Sequence, residues 1–143
     1  GLTSAVDVMP TVLEVFDVPK PEWVEGRSLL PAVKGAELTG RDFTVSSSPF
    51  ANPGDRVRSV DDISRPLGAW PVTTITSDTH SLLYTPEVGM SQLFDLVQDP
   101  RQEHNVIQAQ QQTARDLHQQ LVKFMHETDV ADKLLKPRSQ LTI

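Results

Sequence analysis

The chain has no cysteine, which excludes disulfides and thiolate zinc sites and leaves the redox compartment unread. It also lacks an apolar run long enough to span a bilayer, and a basic-then-apolar N-terminal segment of the signal-peptide kind. Cations are scarce: 13 Lys and Arg stand against 19 Asp and Glu, for a net charge of −6. Nucleic acids and anionic membrane surfaces are bound by clustered Lys and Arg, so neither partner is expected. The sequence names no compartment. Glycine is sparse as well, seven against eleven prolines, which points to many rigid loops. Hydrophobic residues make up 38% of the 143, enough for one modest core.

What is present falls into short pieces. Ser4 or Asp7 can cap a first helix, Pro10 fits its first turn, and Val8, Val12, Leu13, Val15 and Phe16 form an apolar stripe before Pro19 and Pro21 end it. Residues 17–27 read as a loop in which Gly26 takes a conformation other residues resist. Ser28 can start a second short helix through Val33, closed by Gly35. Phe43-Thr44-Val45 turns strand-like, and residues 46–69, dense in Ser, Pro, Gly, Asn and Asp, read as a long loop. Trp70–Ser77, Ser81–Thr85 and Gln92–Val97 then show the period of strands and are joined by short turns, an antiparallel meander. Residues 103–127 read as the longest helix, with Asn105 as N-cap and Ala114, Leu117, Leu121, Phe124 and Met125 on one face. The tail from Lys133 reads as loosely held, and His118 and His126 as exposed.

Three phrases in fixed order carry a resemblance. Asp7, Pro10 and Thr11 form Asp-x-x-Pro-Thr; Gly26, Arg27, Ser28 and Leu29 form Gly-Arg-Ser-Leu, followed by Pro31; and Leu93-Phe94-Asp95-Leu96 leads to Asp99-Pro100 and Asn105. In this order they resemble the C-terminal third of the sulfatases, within the alkaline-phosphatase superfamily. Phe94 replaces a usual Tyr, Gln102 a usual Glu and Glu25 a common Asp. The resemblance implies an α+β fold: a small antiparallel sheet of about three to four strands packed against a long C-terminal helix, preceded by short helices belonging to the α/β core of a parent enzyme. It divides the chain into 1–35, the trailing helices of that core, and 36–143, the C-terminal subdomain. It also implies structural roles for Asp7, Pro10, Thr11, Gly26, Arg27, Ser28, Asp95, Asp99, Pro100 and Asn105.

The chemistry of that family is missing. Its nucleophile is a formylglycine made from Cys or Ser in a Cys/Ser-x-Pro-x-Arg phrase. Ser47-Ser48-Pro49-Phe50-Ala51 begins correctly but has Ala where Arg is required. The family's divalent cation, usually calcium, needs convergent oxygen ligands, and Asp55, Asp61 and Asp62 merely share one loop. His80 with Asp78 and Ser81 does not make a triad, because neighbours along a strand point to opposite faces. No catalytic or metal-ligating residue is therefore assigned. Candidates to face a substrate cleft are His80, Trp70, Arg56 and Arg58, with Arg65 a further cation of the same loop; each also fits a plain structural or solvated role.

The expected function is accordingly that of a non-catalytic C-terminal fragment of a sulfuric ester hydrolase, bracing the core and shaping the cleft. No cofactor is expected in this chain, whereas the parent would use calcium and formylglycine. Its partners would be the missing catalytic core of the same polypeptide and, in the parent, a sulfate ester. A homodimer through the exposed core-facing surface is a further expectation. Two alternatives remain open: a fragment of a related phosphonate or phosphate ester hydrolase, and a stand-alone binding module. An independent small hydrolase would need a nucleophile, base and orienting group that the sequence does not offer.

Overall fold

The computed structural model describes residues 1–37, 40–47 and 72–143. The chain forms two compact units, Gly1–Thr44 and Val45–Ile143. Trp70, Arg56, Arg58, Arg65, Asp55, Asp61 and Asp62 lie outside the described residues, as does most of the loop read at 46–69.

In the first unit a 3-10 turn, Ala5–Asp7, runs into α1, Val8–Val15. Ser4 precedes the turn in extended conformation and Asp7 reaches back to its amide, the reciprocal arrangement of a capping box. Pro10 stands in the first turn of α1, where its missing N–H costs nothing. The helix ends before the prolines do anything to it, because Asp17 adopts a left-handed φ of 54° and carries the chain away. The apolar stripe does not become a core here: Val8, Val12, Val15 and Phe16 are all exposed. The second helix, α2 (Leu30–Val33), has Pro31 in its first turn and is closed by Gly35 at φ 94°.

A four-stranded antiparallel sheet has the order β1 (Phe43–Ser47), β2 (Thr73–Ser77), β3 (His80–Tyr84), β4 (Gln92–Asp95), of which β2, β3 and β4 lie wholly in the second unit. Ile75 pairs with Leu82, and Leu82 with Leu93; all three are wholly buried and, being directly opposite, share one face. Thr73, Tyr84, His80 and Asp95 lie on that same face by the two-residue period. The long helix α3 (Gln111–Glu127) packs over β2 and β3. It buries Ala114, Leu117, Leu121 and Met125 at spacings of three and four, the signature of one helical face turned to a sheet. The fold class is thus α+β, with the sheet, the long helix and the preceding short helices in the expected order.

Four expectations are corrected. The helix starts at Gln111 rather than near residue 103, and Asn105 does not cap it. Instead Asn105 Oδ1 accepts the Leu93 N–H at 3.0 Å and the Ile107 N–H at 3.1 Å, while the Val106 N–H donates to the Leu93 carbonyl at 2.8 Å. Those bonds hold residues 105–107 along the edge of β4, and a backbone held there cannot also be helical. β4 ends at Asp95, two residues early, because its carboxylate accepts the amides of Val97 and Gln98 and turns the chain. The tail is anchored: α4 (Asp132–Leu135) and a 3-10 turn (Lys136–Arg138) follow α3, with Leu135 and Arg138 buried. His118 is buried with them, at 5% exposure, whereas His126 is exposed as expected.

Candidate functional site

The first two sequence phrases meet around Asp7. Asp7 is wholly buried. Its Oδ2 accepts the Ser4 N–H at 2.9 Å, its Oδ1 accepts the Arg27 N–H at 3.0 Å, and the Arg41 guanidinium pairs with it. Thr11 Oγ1 donates to the Asp7 carbonyl at 2.6 Å and accepts the Leu29 N–H at 2.8 Å. Ser28 Oγ accepts the Leu30 N–H at 3.1 Å, at the start of α2. Gly26 brings the second phrase close enough. It has φ 83°, and a Cβ there would lie 2.3 Å from the Val6 carbonyl oxygen. Only glycine satisfies both demands. Burial pushes the Asp7 pKa up, but the Arg27 amide, the Arg41 guanidinium and the Ser4 amide outweigh it and hold the carboxyl below its ordinary value. Asp7 is thus an anion with its oxygens engaged. It is equipped to clamp two segments, not to abstract a proton. Pro10, Glu14, Asp17, Lys20 and Arg27 line an open cavity of about 500 Å³ beside it, where acids and bases are mixed and neither sign of ligand is favoured.

In the second unit His80 belongs to a closed network. Its Nε2 donates to Gln110 Oε1 at 2.8 Å, because an amide oxygen can only accept. Nδ1 lies 2.9 Å from the Thr79 hydroxyl. Asp95 stands opposite across the β3–β4 pair, 4.0 Å from Nε2, and Gln110 also bonds its carboxylate. The Gln98 amide holds the Asp95 pKa down against partial burial, helped by the Val97 amide, Gln110 and His80. Ser81 lies on the other face, 3.1 Å from Thr76 Oγ1, so the strand-neighbour triad is excluded by position. With both ring nitrogens engaged, His80 positions the end of β4 and the segment entering α3. It is half-buried at the start of β3, not a solvated side chain.

The third phrase is completed by Asp99, whose Oδ2 accepts the His104 N–H at 2.8 Å. That bond leads the interactions holding its pKa down. Pro100 stiffens this turn, which closes through Gln102 at φ 57°. Among the described residues, Asp99, Glu103 and His104 place carboxylate and imidazole atoms within 4.8 Å of one another. Glu103 and His104 are exposed, and the Asp99 carboxylate already serves His104, so the turn itself accounts for the grouping. Two participants escaped the sequence reading. Arg41 stands beside Asp42 just before β1, and Gln110 lies in the glutamine-rich run 108–112. Each acts over a long sequence separation, for which the local pattern holds no signal.

No family model matches the sequence, and no curated protein is significantly similar to it. Solved structures do match. A crystal structure of a candidate sulfatase from Bacteroides thetaiotaomicron VPI-5482 superposes on 96% of this chain with a TM-score of 0.63 and 15% identity, using 26% of its own length. A 2-O GAG sulfatase matches 95% of this chain with a TM-score of 0.64 and 14% identity, over 28% of its length. The phosphonate monoester hydrolase of Silicibacter pomeroyi matches 85% with a TM-score of 0.61 and 24% identity, over 24% of its length. This chain therefore has the fold of a segment that makes up about a quarter of a sulfatase or phosphonate monoester hydrolase chain.

Proposed function

We propose that this chain is the C-terminal subdomain of a sulfatase-type ester hydrolase and makes no bond in the reaction itself. The observation that carries the proposal is the superposition of nearly all of this chain on a quarter of a sulfatase chain. The three sequence phrases support it, since their residues serve as a carboxylate clamp, turns and an edge pin, all of them structural duties. The exposed large side chains of α1 and its C-terminal cap, Val8, Met9, Val12, Val15 and Phe16, support it too. An eight-residue helix is marginal in water by itself, and this one offers an apolar face that an α/β core would cover.

In this reading residues 1–35 complete the core, and 36–143 brace it and shape the approach of substrate. The formylglycine and the calcium ligands would come from the missing core. The ester would be a sulfate. A phosphonate ester is the second reading, favoured by the match to phosphonate monoester hydrolases. His80, Trp70, Arg56 and Arg58 are the residues of this chain proposed to border the cleft.

The test is an assay of the purified chain against an aryl sulfate, an aryl phosphate and an aryl phosphonate monoester, with calcium or manganese added. No turnover is expected on any of them. Metal-dependent turnover that persists through repurification would overturn the proposal.

A further inference from the structure

The C-terminal segment doubles back on the second unit. α4 packs against α3, and Leu135 and Arg138 are buried. His118, on α3, places Nε2 2.9 Å from the Arg138 carbonyl, and Tyr84, on β3, donates its hydroxyl to the Gln140 carbonyl at 3.0 Å. The two rings lie 4.6 Å apart between centroids, so both serve one short stretch of chain. Both acceptors are main-chain carbonyls, which the same segment of a second copy would present identically.

The link between α3 and α4, residues 128–131, is a poor sequence for the reversal it makes. α3 ends in a Schellman arrangement: the Val130 N–H donates to the Met125 carbonyl at 3.0 Å and the Asp129 N–H to that of His126 at 3.3 Å. The left-handed residue this motif needs is Asp129, at φ 53°, where glycine would carry no penalty. α4 then starts from Ala131, which has no side-chain oxygen to cap it. Nothing in the sequence stops a helix at this point. No Gly or Pro occurs from Gln111 to Lys136, and Leu117, Leu121 and Phe124 continue through Thr128 and Ala131 to Leu135 at spacings of three and four.

We propose that residues 128–131 are a swap hinge, and that the partner it serves is a second copy of this chain. When chains meet before the segment has docked, α3 and α4 run on as one helix over residues 111–135 and carry residues 132–143 onto the second unit of the other copy. Every contact of the docked segment is remade between chains, so the link alone distinguishes the two states. The straight link relieves the left-handed Asp129 and gives the first turn of α4 the carbonyl partners it lacks. Against it stands the entropy of joining two molecules, so the closed monomer prevails when dilute. The exchange needs undocked segments and belongs to concentrated refolding, not to the native monomer. It joins the copies through α3 and β3, not through the apolar face of α1.

Refolding from urea at low and high protein concentration tests this, in full-length chains carrying Val12→Asp and Phe16→Asp so that the α1 face takes no part. Dilute refolding should give monomer, and concentrated refolding a dimer. Asp129→Gly favours the closed link and disfavours the straight helix, whereas Asp129→Ala does the reverse. Asp129 is exposed, so neither change disturbs packing. The dimer yield should be higher for Ala than for Gly by about tenfold per hinge. Spin labels on Gln119→Cys and Lys133→Cys report the link itself, both sites being exposed in a chain without native cysteine. Diluted into unlabelled chain, a labelled chain in the dimer should show a separation of about 21 Å, the length of the straight helix between them, and a shorter one in the folded-back monomer. Monomer at every concentration, a dimer yield indifferent to residue 129, or a dimer with the label separation of the monomer overturns the proposal.

Discussion

Asp7 is the residue on which the first unit turns. Its carboxylate joins the start of the chain to Arg27 and Arg41, and Gly26 allows the approach by having neither a Cβ nor a barrier to positive φ. The cap at Asp7 was legible because a cap is a local device. Its partner Arg41 was not, because 34 residues separate the two and no periodicity links them. Asp7→Asn removes the anion and leaves Arg41 facing an amide. The expected loss is about 2 kcal/mol, less than the roughly 3–5 kcal/mol of a fully buried broken pair, because the Arg41 side chain is 29% exposed. The pKa of Asp7 is lowered in the fold, so its stabilisation is fully present above the ordinary 3.8 and is lost as pH falls below that and through the lowered folded value. Urea unfolding at neutral pH and below pH 4 should show the variant weaker at neutrality and less acid-sensitive; equal stability of the two proteins at neutral pH would count against the clamp.

At the scale of elements, the strands and α3 were legible because each repeats its own period. Ile75, Leu82 and Leu93 lie on one buried face, and Ala114, Leu117, Leu121 and Met125 return every three or four residues. The start of α3 was not legible. Asn and a run of good helix formers read as a capped helix, but Asn105 uses its side chain on Leu93, twelve residues back, and the edge of β4 takes the backbone that a helix would have used. Asn105→Ala should therefore leave α3 intact while unpinning the edge. The loss of one acceptor shared by two amides is expected to cost about 1–3 kcal/mol. Faster hydrogen exchange at Leu93 and Ile107, with no loss of helical circular dichroism, is the expected result. A loss of helix content would restore Asn105 as a cap.

At the scale of the molecule, the second unit has its own buried core, while the first keeps its apolar helix face outward. Phe16 is 73% exposed and Val12 48%. An isolated chain should bind an apolar dye or self-associate through this face. Replacing Val12 and Phe16 together by Asp should abolish both behaviours at little cost in stability, because neither side chain is buried in the chain alone. Dye fluorescence and sedimentation of the two proteins decide it. A monomeric, dye-silent wild type would remove the argument that a core is missing.

By itself the sequence determined the kinds and order of the elements through the long helix, the buried face of that helix, and the turns at Gly26, Gly35 and Asp99. These depend on residues a few positions apart: a period of two or 3.6, a cap, a backbone angle. Only the tertiary structure decided which partners the polar side chains would take. Burial makes an unbonded polar group costly. Asp7 therefore takes Arg41, Asn105 the edge of β4, His80 Gln110, and His118 the carbonyl of Arg138. The last of these turns a tail that reads as loose in sequence into an anchored one.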